Sequence, residues 1–270
     1  IYATEKHLSF GILRLGGSIG YAFTSQTKKA KIIRVIMSVL YKRALSSADT
    51  VIFQNPDDMK QFTSSGLVKE EKCKLVAGSG VNTERFHPLP YPEKTTFFML
   101  SRVMNSKGIR EYLEAAKTVK EKYPDTHFML LGACEGIQDS IGPEELKKYT
   151  DSGIIEHFGE TENVPPYYGK CSVYVLPSYR EGTPRTILEA MATARPIITT
   201  DAPGCRETVK DGENGFLVPV KDAKALSDKM LWFVEHPEKI EEMGKKSLEY
   251  CMEKFEVGKV NSDMIKYCNI

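Results

Sequence analysis

From Thr96 onward, short runs of β-branched and aromatic residues alternate with longer stretches of helical period, and this alternation limits the fold more than any other feature of the chain. Strands are expected at 96–101, 127–132, 154–158, 173–177 and 197–200. Helices are expected at 108–122, 143–151, 164–170, 184–194 and 222–235, with further helical segments to the end. Every strand-to-strand connection is long enough for a crossover, so the pattern predicts a parallel sheet covered on both faces. Sheets of this kind bind ligands at the carboxyl ends of their strands. The stretch "VKDGENGFLVP" carries the turn signals of a short hairpin.

Upstream, "DTVIFQN" reads as a short buried strand ended by Asn55-Pro56, followed by a helix from Asp57 to Ser64. "KCKLVAGSG" is a second strand and "GVNTERFHPLPYPEK" an irregular, proline-containing stretch. A boundary is expected there, near residues 84–94. It divides the chain into 1–88, 89–250 and a helical segment, 251–270, that returns toward the first part.

Charge is uneven along the chain. Residues 1–50 carry a balance of +6 and the remaining 220 residues −5. Within residues 29–45, Ile32, Val35, Ile36, Val39 and Leu40 share one helical face, while Lys28, Lys31, Arg34, Lys42 and Arg43 occupy much of the rest. Two readings stand: a surface helix packed on its own domain, or a helix lying on anionic lipid headgroups. A membrane span is not among them, because "IIRVIMSVLY" is short and carries Arg34. No two of the six cysteines lie two residues apart, so no zinc or redox pair is expected and the thiols read as reduced. No secretory signal is visible. The chain opens on Ile1 rather than methionine, so an upstream segment is expected.

The richest segment is 173–200, "VYVLPSYREGTPRTILEAMATARPIITT". A buried strand gives way to a polar loop, and Pro184 stands at the start of a helix, a position its fixed φ suits. Backbone N–H groups around Thr183 to Thr186 would then face the sheet's carboxyl edge, where an anion such as phosphate is favoured. Glu181 before the helix and Glu189 within it can accept bonds from hydroxyls on either side. A ligand with phosphates flanked by two polyols fits. The plain structural alternative makes them a helix-start carboxylate and a helix surface residue. There is no Asp-x-Asp triplet to hold a metal and no Walker-type glycine loop; "GSGVNT" fails at its third glycine and reads as a turn. The five histidines are too dispersed for a metal cluster.

"EGTPRTILEAMATARPIITTDAPGCRETVKDGENGFLVP" resembles the glutamate pair and following segment of glycosyltransferase family 4, enzymes of the two-lobed GT-B fold. "LSRVMNSKGI" resembles the family's arginine–lysine motif, "HFGETENVPPYY" its nucleotide-base segment, and "AGSGVNTERF" a further family stretch. These matches run in order over roughly residues 50–220. The resemblance implies an α/β protein of GT-B type, with a complete C-terminal, doubly wound Rossmann-like lobe and a partial N-terminal one. It implies that Arg102 and Lys107 hold a diphosphate and neutralise charge on the leaving group. Glu181 would bind hydroxyls of the donor sugar. Gly182, Thr183, Pro184, Arg185 and Thr186 would seat the donor, and Glu189 would bind the ribose.

"GGSIGYAFTS", the basic helix and "LSSADTVIFQNPDDMKQF" resemble the closing part of the first lobe in members that build bacterial surface glycans. The resemblance therefore implies a retaining transferase moving a hexose or N-acetylhexosamine from a nucleotide sugar, expected to be UDP-linked, to a polyprenyl-linked or glycan acceptor. No metal or other cofactor and no nucleic-acid partner are expected. The location implied is cytoplasmic, on the inner face of the membrane through the basic helix. The opening of the first lobe has no counterpart here, and His7 sits in the wrong context to supply that lobe's histidine. The chain alone is thus expected to bind nucleotide sugar and transfer it poorly. Two alternatives stand beside this: a non-catalytic nucleotide-sugar-binding lobe, or another GT-B enzyme such as a UDP-sugar epimerase or a phosphorylase.

Overall fold

The computed structural model describes residues 2–4, 28–136 and 139–268, with side chains from Ile32 onward in the first long segment. "GGSIGYAFTS" and His7 lie outside the described residues. The described chain falls into two compact units, one holding the residues up to Ser79 together with those from Gly258, the other Gly80–Val257.

The first unit contains β1 (Tyr2–Thr4), α1 (Lys28–Ser46), β2 (Thr50–Phe53), α2 (Pro56–Ser64) and β3 (Cys73–Leu75). β2 pairs antiparallel with β1 and parallel with β3. α2 starts where the sequence dictates. The Asn55 side chain accepts from the Asp58 amide at 2.8 Å, Pro56 presets the first turn, and Asp57 and Asp58 sit at the positive end of the helix. The core gathers Tyr41 and Leu45 of α1, Val51 and Phe53 of β2, and Phe62 of α2. Phe62 meets the rings of Tyr41 and Phe53 edge-on at 5.5 and 5.6 Å.

α1 carries two apolar faces. Met37, Tyr41 and Leu45, spaced four apart, turn toward the core. Ile32, Val35, Ile36, Val39 and Leu40 form the stripe read from the sequence, but among the described residues they do not pack on their own unit: each is 55–66% exposed. Tyr41 and Leu45, which bury almost completely, decide which face docks. Lys42 and Arg43 are exposed at the end of the stripe.

The second unit runs through β4 (Thr96–Leu100), α3 (Ile109–Lys122), β5 (His127–Leu131), α4 (Pro143–Asp151), β6 (Glu156–His157), α5 (Pro165–Gly169), β7 (Val173–Leu176), α6 (Arg185–Ala192), β8 (Ile197–Thr200), β9 (Gly215–Val218), α7 (Ala223–Glu235) and α8 (Glu238–Lys254). The last helix, α9 (Val257–Cys268), groups from Gly258 onward with the first unit. Among the described residues six strands form one parallel sheet in the order β6-β5-β4-β7-β8-β9. Counted from β4 as the first strand, the order is 3-2-1-4-5-6, a doubly wound Rossmann-like sheet. The central strands are apolar on both faces, as a doubly covered sheet requires: Phe97, Phe98, Met99, Val173, Tyr174, Val175, Ile197 and Ile198 are buried. Outside the sheet, α3 packs on α7 and α6 on α8. The winding direction reverses between β4 and β7, the point at which a doubly wound sheet forms a crevice at its carboxyl edge.

Three expectations are corrected. "VKDGENGFLVP" is not a hairpin: its one strand, β9, runs parallel to β8. The Asn214 side chain closes the preceding turn instead, accepting from the Lys210 amide and donating to Thr208 O and Ser247 Oγ, while Asp211 takes the Leu217 amide that a second hairpin arm would have paired. The division between units falls at Ser79/Gly80, before the expected 84–94. Val81 bridges Glu256, and Phe86 is buried edge-on against Tyr168 at 5.9 Å, so this stretch is part of the second unit's surface. Gly80 makes that docking possible, for at φ 71° a Cβ there would sit 2.7 Å from the Val257 Cα. Finally, Pro184 caps α6 from outside, with φ −73° and ψ 111°, and the helix itself begins at Arg185.

Candidate donor-binding site

The exit loop of β4 first extends the sheet. Ser101 donates to Leu131 O at 3.0 Å and Val103 to Ala133 O at 2.9 Å, which leaves Arg102 between them exposed on the crevice side. This close approach needs a glycine opposite. A Cβ on Gly132, at φ 146°, would lie 1.9 Å from Ser101 O. A 3₁₀ turn over Asn105–Lys107 follows, ended by Gly108 in the left-handed region.

The exit loop of β7 is stitched to that turn. Tyr179 donates its amide and Ser178 its hydroxyl to Ser106 O, at 2.9 and 3.2 Å. The far side of the loop is held by the β8 exit, where the Glu181 amide donates to Pro203 O at 2.9 Å. Between these supports the Lys107 ammonium meets the Glu181 carboxylate at 2.5 Å, both side chains largely buried. The two loops that the sheet reversal brings together are thus joined by an ion pair of the two residues expected from sequence.

Gly182, Thr183 and Pro184 lead from Glu181 to α6. No side chain caps that helix. The first-turn amides, including those of Arg185 and Thr186, therefore point along the axis with the positive end of the helix dipole, an arrangement suited to an anion. Arg185, Thr186 and Glu189 line a cleft of about 860 Å³ together with Arg102, Gly132 and Ala133. Glu160, Thr161, Glu162 and Val164, from the stretch read as base-binding, form another wall. The structure therefore gathers Arg102, Arg185, Thr186 and Glu189 on one cleft, and Lys107 with Glu181 on the adjoining loops. Gly182, Thr183 and Pro184 link the two groups without lining the cleft.

Glu189 is nearly buried. Burial pushes its carboxyl above the ordinary range, against the opposing pull of the Tyr168 hydroxyl at 3.0 Å and of Arg185 and Arg85. Held higher than in the unfolded chain, this carboxyl favours the fold at acid pH. That contribution is lost as pH rises from the usual glutamate value through the raised one.

Sequence reading missed Arg85 and Phe86. They line the cleft from the stretch read as irregular and proline-containing, and Arg85 reaches Glu162 O at 3.3 Å. The family-like stretch "AGSGVNTERF" contains both, but the resemblance gave them no role; they reach the cleft because the Gly80–Phe86 segment packs within the second unit. Among the described residues no three His, Cys, Asp or Glu side chains converge as metal ligands, and no helix is long and apolar enough to cross a membrane.

Residues 81–249, more than half of the chain, match the family described as Glycosyl transferases group 1. The chain belongs to this family. Within it, the chain is 28% identical over 258 residues to the N,N'-diacetylbacillosaminyl-diphospho-undecaprenol alpha-1,3-N-acetylgalactosaminyltransferase of Campylobacter jejuni, covering 86% of this chain and 66% of the relative. It is 25% identical to the capsular polysaccharide biosynthesis glycosyltransferase CapM of Staphylococcus aureus, over 72% of this chain and 54% of the relative. The chain thus spans about half to two-thirds of the length of these curated relatives. Its fold is shared with Anabaena HepE, solved in complex with UDP and glucose, at a TM-score of 0.74 and 20% identity over 86% of this chain and 66% of that one. The architecture is accordingly α/β of GT-B type.

Proposed function

We propose that this chain forms the donor-binding part of a retaining, metal-independent hexosyltransferase of glycosyltransferase family 4, which takes sugar from a UDP-sugar for bacterial surface-polysaccharide synthesis. One observation carries the reading. At the reversal point of the sheet, Arg102 and the uncapped start of α6 face a single cleft, and Lys107 and Glu181 are paired on the loops beside it. A pyrophosphate is the ligand whose charge suits both a cationic side chain and a helix mouth. The cleft is ample for a nucleotide, and Glu189 stands on it where a ribose would lie. In this reading Arg102 and Lys107 stabilise the departing diphosphate, Glu181 orients the sugar, and the leaving phosphate helps deprotonate the acceptor on the same face. UDP as the nucleotide draws support from the HepE complex. The name of the Campylobacter jejuni relative supports a polyprenyl-linked acceptor.

Calorimetric titration with UDP, beside transfer assays on this chain and on a version extended upstream, tests the proposal. The expected result is UDP binding by the chain as it stands, and transfer that becomes robust on extension, is unaffected by EDTA and keeps the donor's anomeric configuration. Binding without transfer even after extension would favour a non-catalytic lobe. A rearranged UDP-sugar formed without acceptor would favour an epimerase.

A pH dependence follows from Glu189. Ribose hydroxyls donate to the ionised carboxylate, so UDP affinity should fall as the solution is acidified through the raised Glu189 value. In Glu189→Gln that loss should disappear, leaving only the titration of the diphosphate itself. Titrations from about pH 5 to 8 make the comparison. An acid limb of unchanged size in the variant would remove Glu189 from the binding role.

The acceptor side supplies a second expectation. The exposed stripe of α1, ended by exposed Lys42 and Arg43, has the apolar face and the charge to rest on an anionic bilayer. Flotation with vesicles containing phosphatidylglycerol should recover the protein at low salt, and Val35→Glu/Val39→Glu should abolish recovery. Equal recovery of the double variant, or none of the parent, would contradict this placement.

A further inference from the structure

Tyr168 lies on α5, directly after the cleft wall formed by Glu160–Val164, and its side chain is fully buried. Its ring is wedged against Phe98, Tyr174 and Phe86 at 5.5, 5.8 and 5.9 Å. Its backbone carbonyl accepts from the Arg195 Nε at 3.0 Å. Ring and backbone are thus both fixed, and the hydroxyl has one direction left. It points at α6, where it stands 3.0 Å from Glu189 Oε2 and 2.9 Å from Thr186 O. Burial among aromatic rings holds the phenol well above its ordinary range, so it stays protonated and a donor.

Glu189 has little else to fix it. The nearest cation, the Arg185 guanidinium, is mostly exposed and stands 3.9 Å from the other oxygen, Oε1. Among the described residues the Tyr168 hydroxyl is the donor within reach of this carboxylate, its single proton shared between Glu189 Oε2 and Thr186 O. A glutamate at a cleft wall with one oxygen held has its rotation stopped and its second oxygen presented to the cleft. One with neither held must lose that freedom when a ligand binds.

We infer that Tyr168 is a positioning residue for nucleotide recognition: it pins Oε2 of Glu189 so that Oε1 is presented to the paired hydroxyls of the donor's ribose. The inference rests on the reading of Glu189 as the ribose carboxylate. Arg195 and the aromatic cluster hold Tyr168 in place, so the aim of Glu189 is set from within the core.

The test compares UDP with 2′-deoxy-UDP and 3′-deoxy-UDP by calorimetry on the parent, Tyr168→Phe, Glu189→Gln and the double variant, with thermal midpoints and pyrophosphate affinity measured alongside. A hydrogen bond to a charged group is worth enough to give the parent a preference for the ribonucleotide of about tenfold or more. Glu189→Gln should remove most of it. Tyr168→Phe should cut it several-fold with pyrophosphate affinity unchanged, and the double variant should lose no more than Glu189→Gln alone, because the hydroxyl acts through that carboxylate. A merely structural role would weaken pyrophosphate binding as well and make the double variant worse, which would overturn the inference. So would a Tyr168→Phe protein that keeps the parent's preference while Glu189→Gln loses it. If Glu189→Gln itself keeps the preference, the ribose reading fails first and the inference with it.

Discussion

Replacing Arg102 with alanine in the version extended upstream should lower kcat/KM for transfer by about a thousandfold, and Lys107→Ala should do so by a similar factor. Removing one preorganised donor aimed at developing negative charge costs about 10²–10³ in rate, and a full cation aimed at a departing diphosphate belongs at the upper end of that range or beyond. On the proposed reading the charge on the leaving group grows as the glycosidic bond breaks, so Arg102 and Lys107 would bind the transition state more tightly than the ground state. The effect should therefore appear in kcat and not only in KM. Arg102 is the cleaner probe. Its side chain is exposed on the crevice and its removal should leave the fold within about 0.5 kcal/mol. Lys107 is paired with Glu181 at 2.5 Å in a largely buried setting, so its loss also strands a carboxylate. Steady-state kinetics with thermal unfolding on the same preparations separate the two effects. An Arg102→Ala enzyme within about threefold of the parent would remove the cation from the mechanism.

The largest stability effect is expected at Arg195. This side chain is completely buried, yet among the described residues it makes no ion pair, and its Nη1 has no hydrogen-bond partner. Its Nε donates to Tyr168 O at 3.0 Å and its Nη2 to Pro90 O at 2.7 Å, while the guanidinium plane lies 4.2 Å over the Tyr91 ring. Tyr91 in turn donates its hydroxyl to Ala194 O, next to Arg195 in the chain. Arginine thus ties the 88–91 segment and the end of α5 to the turn before β8. Truncation to alanine would leave the Pro90 carbonyl without its donor, remove one of the donors on Tyr168 O, cancel a desolvated cation–π contact and open a cavity. Relief from burying the charge offsets only part of that loss, so the net cost should be about 3–5 kcal/mol. For a unit of this size the thermal midpoint should fall by roughly 10 °C. Lysine should recover little, because a single ammonium cannot span two carbonyls and stack on a ring at once. Denaturant unfolding of the three proteins checks this. A loss below about 1 kcal/mol for Arg195→Ala would show that the contacts do not hold the segment.

The alternation of strands and helices was legible because each element declares itself locally: a short β-branched run for β7 or β8, a helical period and a proline for α6. The crevice was legible for the same reason, since a parallel sheet sends its exit loops to one edge whatever their sequences. Where the sequence misled, the deciding forces were not local. A strand entered after an extended loop looks like a hairpin arm until its partner is known, and β9 takes β8. The stripe on α1 is periodic, but periodicity does not say which of two apolar faces wins, and Tyr41 and Leu45 won. Arg195 stands just before Pro196 in a run that reads as turn chemistry, and its burial comes from Tyr91, a hundred positions away in sequence. Tyr168 and Arg85 lie in stretches that resemble the family, but the resemblance gave neither a role: packing buries Tyr168 behind Glu189, and the segment after Gly80 carries Arg85 to the cleft.

The account stands or falls on where a diphosphate sits. A crystal structure of the protein with UDP should show the β-phosphate within hydrogen-bond reach of Arg102 or Lys107 and of the Arg185 or Thr186 amide, with the ribose hydroxyls on Glu189. UDP bound with its phosphates away from the start of α6, or with Glu189 touching no part of the nucleotide, would contradict it.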